Sequence, residues 1–371
     1  MSGSAQYSDD FLADMAPALA DQYRQWYPWC RETVLATIDR LANPSYLEAA
    51  LGARLSDAML AAARDAWLEP YRSYHTRMGK MLRPFLVCSV MQAFERDPRR
   101  SPTVVAIAEI IHAASLVLDD VADDSPLRRG GPTAHRQVGV RVAGAGGSAW
   151  LNACFQLLAE SDCGLEPEQA LRLADEIAWE HWVTGVGTTI DTTWPWMGRL
   201  DGTPAQYLQS VVHRSTSYTY RLPLKIGAIA AGATAEQTAR FAALGEELGI
   251  AFQIIDDILN VQPGDDKWGK ALAEDITQGK INLQVLLALE RLDAGPRARL
   301  IEILQSRTDD AGALAEAVAL LEDSGAFDAA RGIAQGYIDS TQAIVAGMDF
   351  LTPVDRERLS AFVDYVIHRS R

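Results

Sequence analysis

Apolar residues recur every three or four positions through most of the chain. In RFAALGEELGIAFQIIDDIL, from Arg240 to Leu259, they hold one helix face over about five turns. AVALLEDSGAFDAARGIAQGYIDSTQAIV, from Ala317 to Val345, repeats the pattern. Alternating strand-like runs are scarce. Glycine and proline gather at a few joints: RRGGPTAHRQVG, VAGAGGSAW, TTWPWMGRLDGTP and NVQPGDDKWGK. None of these is long enough for a domain linker. The pattern predicts an all-α fold with a single helical domain over 21–371, after a poorly ordered segment at 1–20.

Composition narrows the partners. The 371 residues are 48% hydrophobic, enough for a large core, and the net charge of −15 excludes nonspecific nucleic-acid binding. The acidic N-terminus lacks the basic start and apolar centre of a secretory signal, and no apolar run reaches about 18 residues, so no membrane span is expected. Cys30, Cys88, Cys154 and Cys163 have no metal-type spacing and read as reduced thiols of a cytoplasmic protein.

The candidate chemistry lies in two acidic turns. IAEIIHAASLVLDDVADD, read as one helix, sets Asp119, Asp120 and Asp123 on one face within a single turn, where an apolar stretch ends; Asp124 follows. Clustered hard oxygens suit Mg2+, which keeps waters and is shared with substrate phosphates. Arg128 and Arg129 come next. GIAFQIIDDILN repeats the spacing 137 residues later, with Asp256, Asp257 and Asn260, and with Gln253 on the same face. Lys267, Lys270 and Lys280 follow it, and upstream MGKMLRPF carries Lys80 and Arg83 three apart. Two acidic turns, each trailed by cations, predict two walls of one cavity that holds diphosphates through metal ions.

These residues resemble, in order from about Gly79 to Lys280, the trans-isoprenyl diphosphate synthases of the polyprenyl synthetase family. GKMLRP is similar to that family's GKxxRP element, DDVADDSPLRRGGPTAHR to its first aspartate-rich motif with RRGxPT, GIAFQIIDDILN to FQxxDDxxD, and GKALAEDITQGKINL to its later lysine-bearing region. The resemblance implies helices around a deep central cavity, a homodimer, and three Mg2+ ions shared with substrate diphosphate. It implies that Asp119, Asp120, Asp123, Asp256 and Asp257, with Asn260, hold metal and an allylic diphosphate. Arg128, Lys270 and Lys280, with Gln253 and Thr216, would bind that diphosphate. Lys80, Arg83, His112 and Arg129 would hold isopentenyl diphosphate, with Arg369 or Arg371 a further candidate. The implied reaction extends the allylic chain by one isopentenyl unit.

Three positions depart from the family pattern. Ser215-Thr216 stands for the usual Lys-Thr, and the neighbouring Arg214 points about 100° away from Ser215 on a helix. Thr188 replaces the Gln of GQxxD, although Asp191 remains, and Asn260 replaces an aspartate. Trp179, Trp182, Trp194 and Trp196 crowd the same element. They read either as ordinary packing or as an aromatic wall that steers a carbocation. Elongation is therefore weighed against a terpene cyclase on this scaffold and against a weakly active partner subunit. Ala114 and Ser115, five and four residues before Asp119, are small, which predicts a product of about C20 or longer.

Overall fold

Helices begin where the sequence supplies caps. Asn43 accepts a hydrogen bond from Ser45 N–H at the head of one helix, and Thr203 and Gln206 form a reciprocal capping box at another. Proline occupies the first turn of several, where its missing N–H leaves no bond unmade. The computed structural model describes residues 12–77, 79–196, 202–261 and 274–368.

In chain order the helices are α1 (Pro17–Leu41), α2 (Pro44–Leu51), α3 (Asp57–Ala62), α4 (Glu69–Thr76), α5 (Leu82–Ala93), α6 (Pro102–Ala122), α7 (Ala134–Val138), α8 (Val140–Ala159) and α9 (Pro167–Trp196). There follow α10 (Pro204–Arg214), α11 (Leu222–Ala230), α12 (Ala235–Val261), α13 (Glu274–Thr277), α14 (Leu283–Arg291), α15 (Ala294–Ser306), α16 (Ala311–Asp323), α17 (Ala326–Ala346) and α18 (Pro353–His368). Single π-helical turns precede α4 and α11. The one strand pair among the described residues is a hairpin of β1 (Leu127–Arg128) and β2 (Gly131–Pro132). The all-α class predicted from the pattern holds.

The chain packs as two compact units. The first comprises residues 1–177, 222–241 and 350–355; the second comprises 178–221, 242–349 and 356–371. Residues 12–20, within the stretch expected to be poorly ordered, join the first unit, with Leu12, Met15, Leu19 and Ala20 buried.

In the first unit α6 is the central helix. Every residue from Thr103 to Ala114 is buried, so it is enclosed on all faces there, against α1, α5, α8 and α11. Gly147 lets α8 come close, since a Cβ there would lie 3.0 Å from Leu118 Cδ2. Below His112 the helix emerges: Ser115, Leu116 and Leu118 are half-buried, and Asp119 is exposed. Trp67, Tyr71 and Trp150 stack beside it, with centroid spacings of 4.5 and 4.1 Å on Trp150, and Tyr71 Oη donates to Ile110 O.

The core of the second unit runs along α12. Ile250, Ile254 and Ile258 recur every four residues and meet Tyr207 and Val211 of α10 and Leu283 and Leu286 of α14. All four cysteines are buried and unbridged. Among the described residues no helix is long and apolar enough to cross a membrane.

Candidate active site

The first acidic turn ends α6. Asp119 stands exposed at 52%, Asp123 is half-buried, and Asp120 is fully buried. A buried carboxylate needs partners, and Asp120 has them on both oxygens. Oδ2 accepts from Tyr74 Oη at 2.7 Å, and Oδ1 accepts from Arg128 Nε at 2.9 Å and from Arg128 Nη2. Arg128 also lies 3.7 Å from Asp119 Oδ2. Asp124 turns away to Arg136 and His135.

The β1–β2 hairpin aims the arginine pair. Its two loop residues, Arg129 and Gly130, have φ of +50° and +72°, the left-handed pair that a tight two-residue hairpin requires. Arg128 thereby meets Asp120, while Arg129 donates to Tyr74 O and lies 3.6 Å from Glu109, a carboxylate only 1% exposed. Gly79 makes room, because a Cβ there would fall 3.1 Å from Arg129 Nη1.

His112, three residues after Glu109, is buried. Burial first, and then the positive charges of Arg83, Arg129 and Arg128, hold it well below the usual imidazole range. The charges of three guanidiniums are therefore felt at its ring. Burial and Arg129 also push His75 down to about 3. Lys80 is half-buried, two residues before the start of α5. His112 thus lies two turns before Asp119 on α6, where the charges of Arg83, Arg129 and Arg128 are felt. Guanidiniums are suited to a diphosphate. Ala114 is fully buried in the α6 packing, whereas Ser115 is half-buried with its hydroxyl on His112 O.

The second acidic turn lies on α12. Asp256 is half-buried and Asp257 buried. Asp257 Oδ1 accepts from Gln253 Nε2 at 2.6 Å and Oδ2 accepts from Tyr207 Oη, while Gln284 caps its backbone carbonyl. Burial, reinforced by the negative charge of Asp275, pushes Asp257 up to about 7; Arg214 pulls in the opposite direction. Asn260 Oδ1 accepts from Asp275 N–H, and Lys280 Nζ lies 3.7 Å from Asp275 Oδ1. Thr216 is fully buried, with its hydroxyl on Val212 O. Lys267, Lys270, Arg369 and Arg371 lie outside the described residues, as do the side chains of Trp194 and Trp196.

Among the described residues no three His, Cys, Asp or Glu side chains converge into a closed metal site. Mg2+ takes one or two carboxylates and completes its octahedron with water and phosphate. Asp119 and Asp123 in the first unit, and Asp256 in the second, reach solvent and are hard oxygen donors, so the donors of each turn fit the ion.

Residues 65–321 match the family model for polyprenyl synthetase. The chain belongs to the polyprenyl synthetase family. Members of this family are trans-prenyltransferases, and this chain is an enzyme of that class. It is 32% identical over 298 residues to the short chain isoprenyl diphosphate synthase of Methanothermobacter thermautotrophicus, covering 79% of this chain and 87% of the relative. A geranylgeranyl pyrophosphate synthetase from Pyrococcus horikoshii superimposes with a TM-score of 0.78 at 26% identity, over 94% of this chain and 99% of that one. The fold is shared as well with a geranylgeranyl pyrophosphate synthase from Corynebacterium glutamicum, at a TM-score of 0.79 and 22% identity, over 92% and 98% of the two chains. That protein was crystallised with isoprenyl diphosphate and magnesium.

Sequence reasoning missed three residues that act on the acidic turns: Tyr74 and Tyr207 through hydrogen bonds, and Arg214 through its charge on Asp257. It set Arg214 aside as turned from Ser215. The two residues start about 100° apart on the helix, but the guanidinium reaches back to Ser215 Oγ at 2.9 Å, and the face of α10 that carries Tyr207 and Ser210 also carries Arg214, seven and four residues on. Arg214 Nε lies 3.0 Å from Asp191 Oδ1. The signal was available as that seven-residue spacing.

Proposed function

We propose that this enzyme condenses an allylic prenyl diphosphate with isopentenyl diphosphate in a Mg2+-dependent reaction, giving a product of about C20 or longer. The observation that carries this reading is the set of positive charges that reach His112. A cyclase ionises one diphosphate and has no use for a second cationic site. Here Arg83 and Arg129, besides the Arg128 that pairs with Asp120, act on His112 within the first unit, two turns before Asp119 on α6. The exposed tryptophans point the same way. Trp182 is 73% and Trp179 49% exposed, so neither encloses a carbocation.

The residues divide the work by charge. Asp119 and Asp123, and separately Asp256, would hold Mg2+ on substrate phosphate oxygens. Bound Mg2+ supplies the positive charge that stabilises a departing diphosphate. Asp120 and Asp257 hold their turns in place through Tyr74 and Tyr207. Arg83, His112 and Arg129, with Lys80, would fix isopentenyl diphosphate so that its double bond faces the allylic carbon. The allylic C–O bond breaks, a C–C bond forms, and one proton leaves with the released diphosphate. No protein nucleophile is involved.

Product analysis tests the reading. Purified enzyme with Mg2+ and an allylic diphosphate should extend it only when isopentenyl diphosphate is added. Hydrocarbon release without isopentenyl diphosphate would identify a cyclase, and no turnover at all a partner subunit. For length, Ser115 offers the cleaner probe, since a ring at fully buried Ala114 would overpack α6. Ser115→Phe should shorten the product, and an unchanged chain length would remove this face as the tunnel wall. A homodimer is supported by the stripe Trp179, Trp182, Val186 and Ile190, spaced three or four apart and all exposed on α9. Sedimentation as a monomer would count against it.

A further inference from the structure

The family's usual lysine beside the second acidic turn is Ser215 here, so one of the cations expected on the allylic diphosphate is missing from its place. The second unit contains a cation that answers this loss. Gly187 of α9 has no side chain where the end of α10 passes: a Cβ there would fall 2.8 Å from His213 Cβ and 3.0 Å from Arg214 N. Gly249 of α12 does the same beneath Thr216, where a Cβ would lie 2.7 Å from Thr216 Cβ. The junction between α10 and the following π-helical turn is thus pressed against both α9 and α12.

That packing fixes Arg214. Its Nε lies 3.0 Å from Asp191 Oδ1 on α9, the aspartate kept from the altered GQxxD element, and Ser210 Oγ donates to the same oxygen at 3.3 Å. Arg214 Nη1 donates to Ser215 Oγ at 2.9 Å, so the serine that replaces lysine serves as a rest for the arginine. The guanidinium is 20% exposed and shares its helix face with Tyr207, whose hydroxyl bonds Asp257. Its charge is felt at both Tyr207 and Asp257.

We propose that Arg214, oriented by Asp191, is the cation that binds the allylic diphosphate at the second acidic turn, in place of the missing lysine. This rests on the reading that Asp256 and Asp257 belong to a diphosphate site. Arginine offers a planar, bidentate grip on phosphate oxygens where lysine offers a point charge. Asp191 is a positioning residue that acts through Arg214.

The test combines steady-state kinetics with calorimetry of Mg2+ and inorganic pyrophosphate. Arg214→Gln should raise the Michaelis constant for the allylic diphosphate by about tenfold or more, the loss of one charge-assisted contact. The constant for isopentenyl diphosphate should stay within about twofold, and pyrophosphate affinity should fall in parallel. Adding Ser215→Lys to Arg214→Gln should restore most of the loss. Asp191→Asn should move the allylic constant in the same direction by less. An allylic constant unchanged in Arg214→Gln, or both constants raised equally, would overturn the proposal. If thermal unfolding shows Arg214→Gln to be misfolded, Arg214→Lys replaces it, with a smaller rise still confined to the allylic substrate and the same outcomes against it. Should the wild type bind pyrophosphate but make no elongated product, the elongation reading fails while the pyrophosphate comparison still decides Arg214.

Discussion

The two acidic turns carry the same letters and are built on the same plan, yet they are balanced differently. In each, the first aspartate reaches solvent and the second is buried under a tyrosine hydroxyl, Tyr74 for Asp120 and Tyr207 for Asp257. Asp120 then takes the guanidinium of Arg128. Asp257 takes the side-chain amide of Gln253, with Asp275 adding negative charge nearby, and it rises to about 7. A repeated motif therefore fixes the geometry of a turn but not its charge. The first turn carries its own counter-ion in contact, whereas the buried aspartate of the second is held by an amide and a hydroxyl and feels Arg214 through its charge alone.

The largest effect expected tests what the turns share. Asp119→Ala and Asp256→Ala should each lower turnover by about a hundredfold or more while leaving the fold intact, because both reach solvent and are the donors proposed for metal. Near wild-type turnover in either variant would remove that turn from the site.

The next test separates the turns. Asp120→Asn strands Arg128 beside an amide and should destabilise the enzyme by about 3 kcal/mol in urea unfolding. Asp257→Asn exchanges a carboxylate that burial disfavours for an amide of the same shape. It should be neutral or stabilising at pH 8. Equal losses in both variants would erase the contrast.

A smaller effect lies in the pH profile of the metal-free enzyme. Asp257 is raised from 3.8 to about 7, so its folded form holds a proton that the unfolded chain releases. Its contribution is full below pH 4 and is lost as pH rises through 7. His75 is lowered from 6.5 to about 3, so its contribution is present above pH 6.5 and lost as pH falls toward 3. The two slopes oppose each other over most of that range. Thermal unfolding of Asp257→Asn should therefore steepen the loss on acidification, and His75→Leu should steepen the loss on alkalinisation. Parallel shifts in both variants would show that the groups do not titrate as their surroundings dictate.

Much of this was legible in the sequence because helical periodicity and spacing along one helix are local properties. The end of α6, the repeated acidic pair and the placement of Gln253 over Asp257 all follow from a 3.6-residue turn. The tyrosines were not legible. Tyr74 lies 46 residues from Asp120 and Tyr207 lies 50 from Asp257, so packing alone brings them together. The same holds for Glu109, an acid inside a run of isoleucines whose partner, Arg129, arrives by way of a hairpin. The charge of each turn is set by these distant partners, so the sequence shows the likeness of the two acidic motifs and not their difference.

The hairpin loop has one more consequence. Arg128 and Arg129 are adjacent, yet they engage Asp120 and Glu109, eleven residues apart on α6. Eleven residues make just over three whole turns, so both acids lie along one line of the helix. The arginine pair therefore acts as a ruler laid along α6. Removing or inserting a single residue between Glu109 and Asp120 would swing one acid about 100° out of line and break one end. Apart from His112 and Asp119, side chains in that interval can vary as far as packing allows, but the number of residues cannot. A length change of even one there should be absent from any functional variant, however many substitutions it carries.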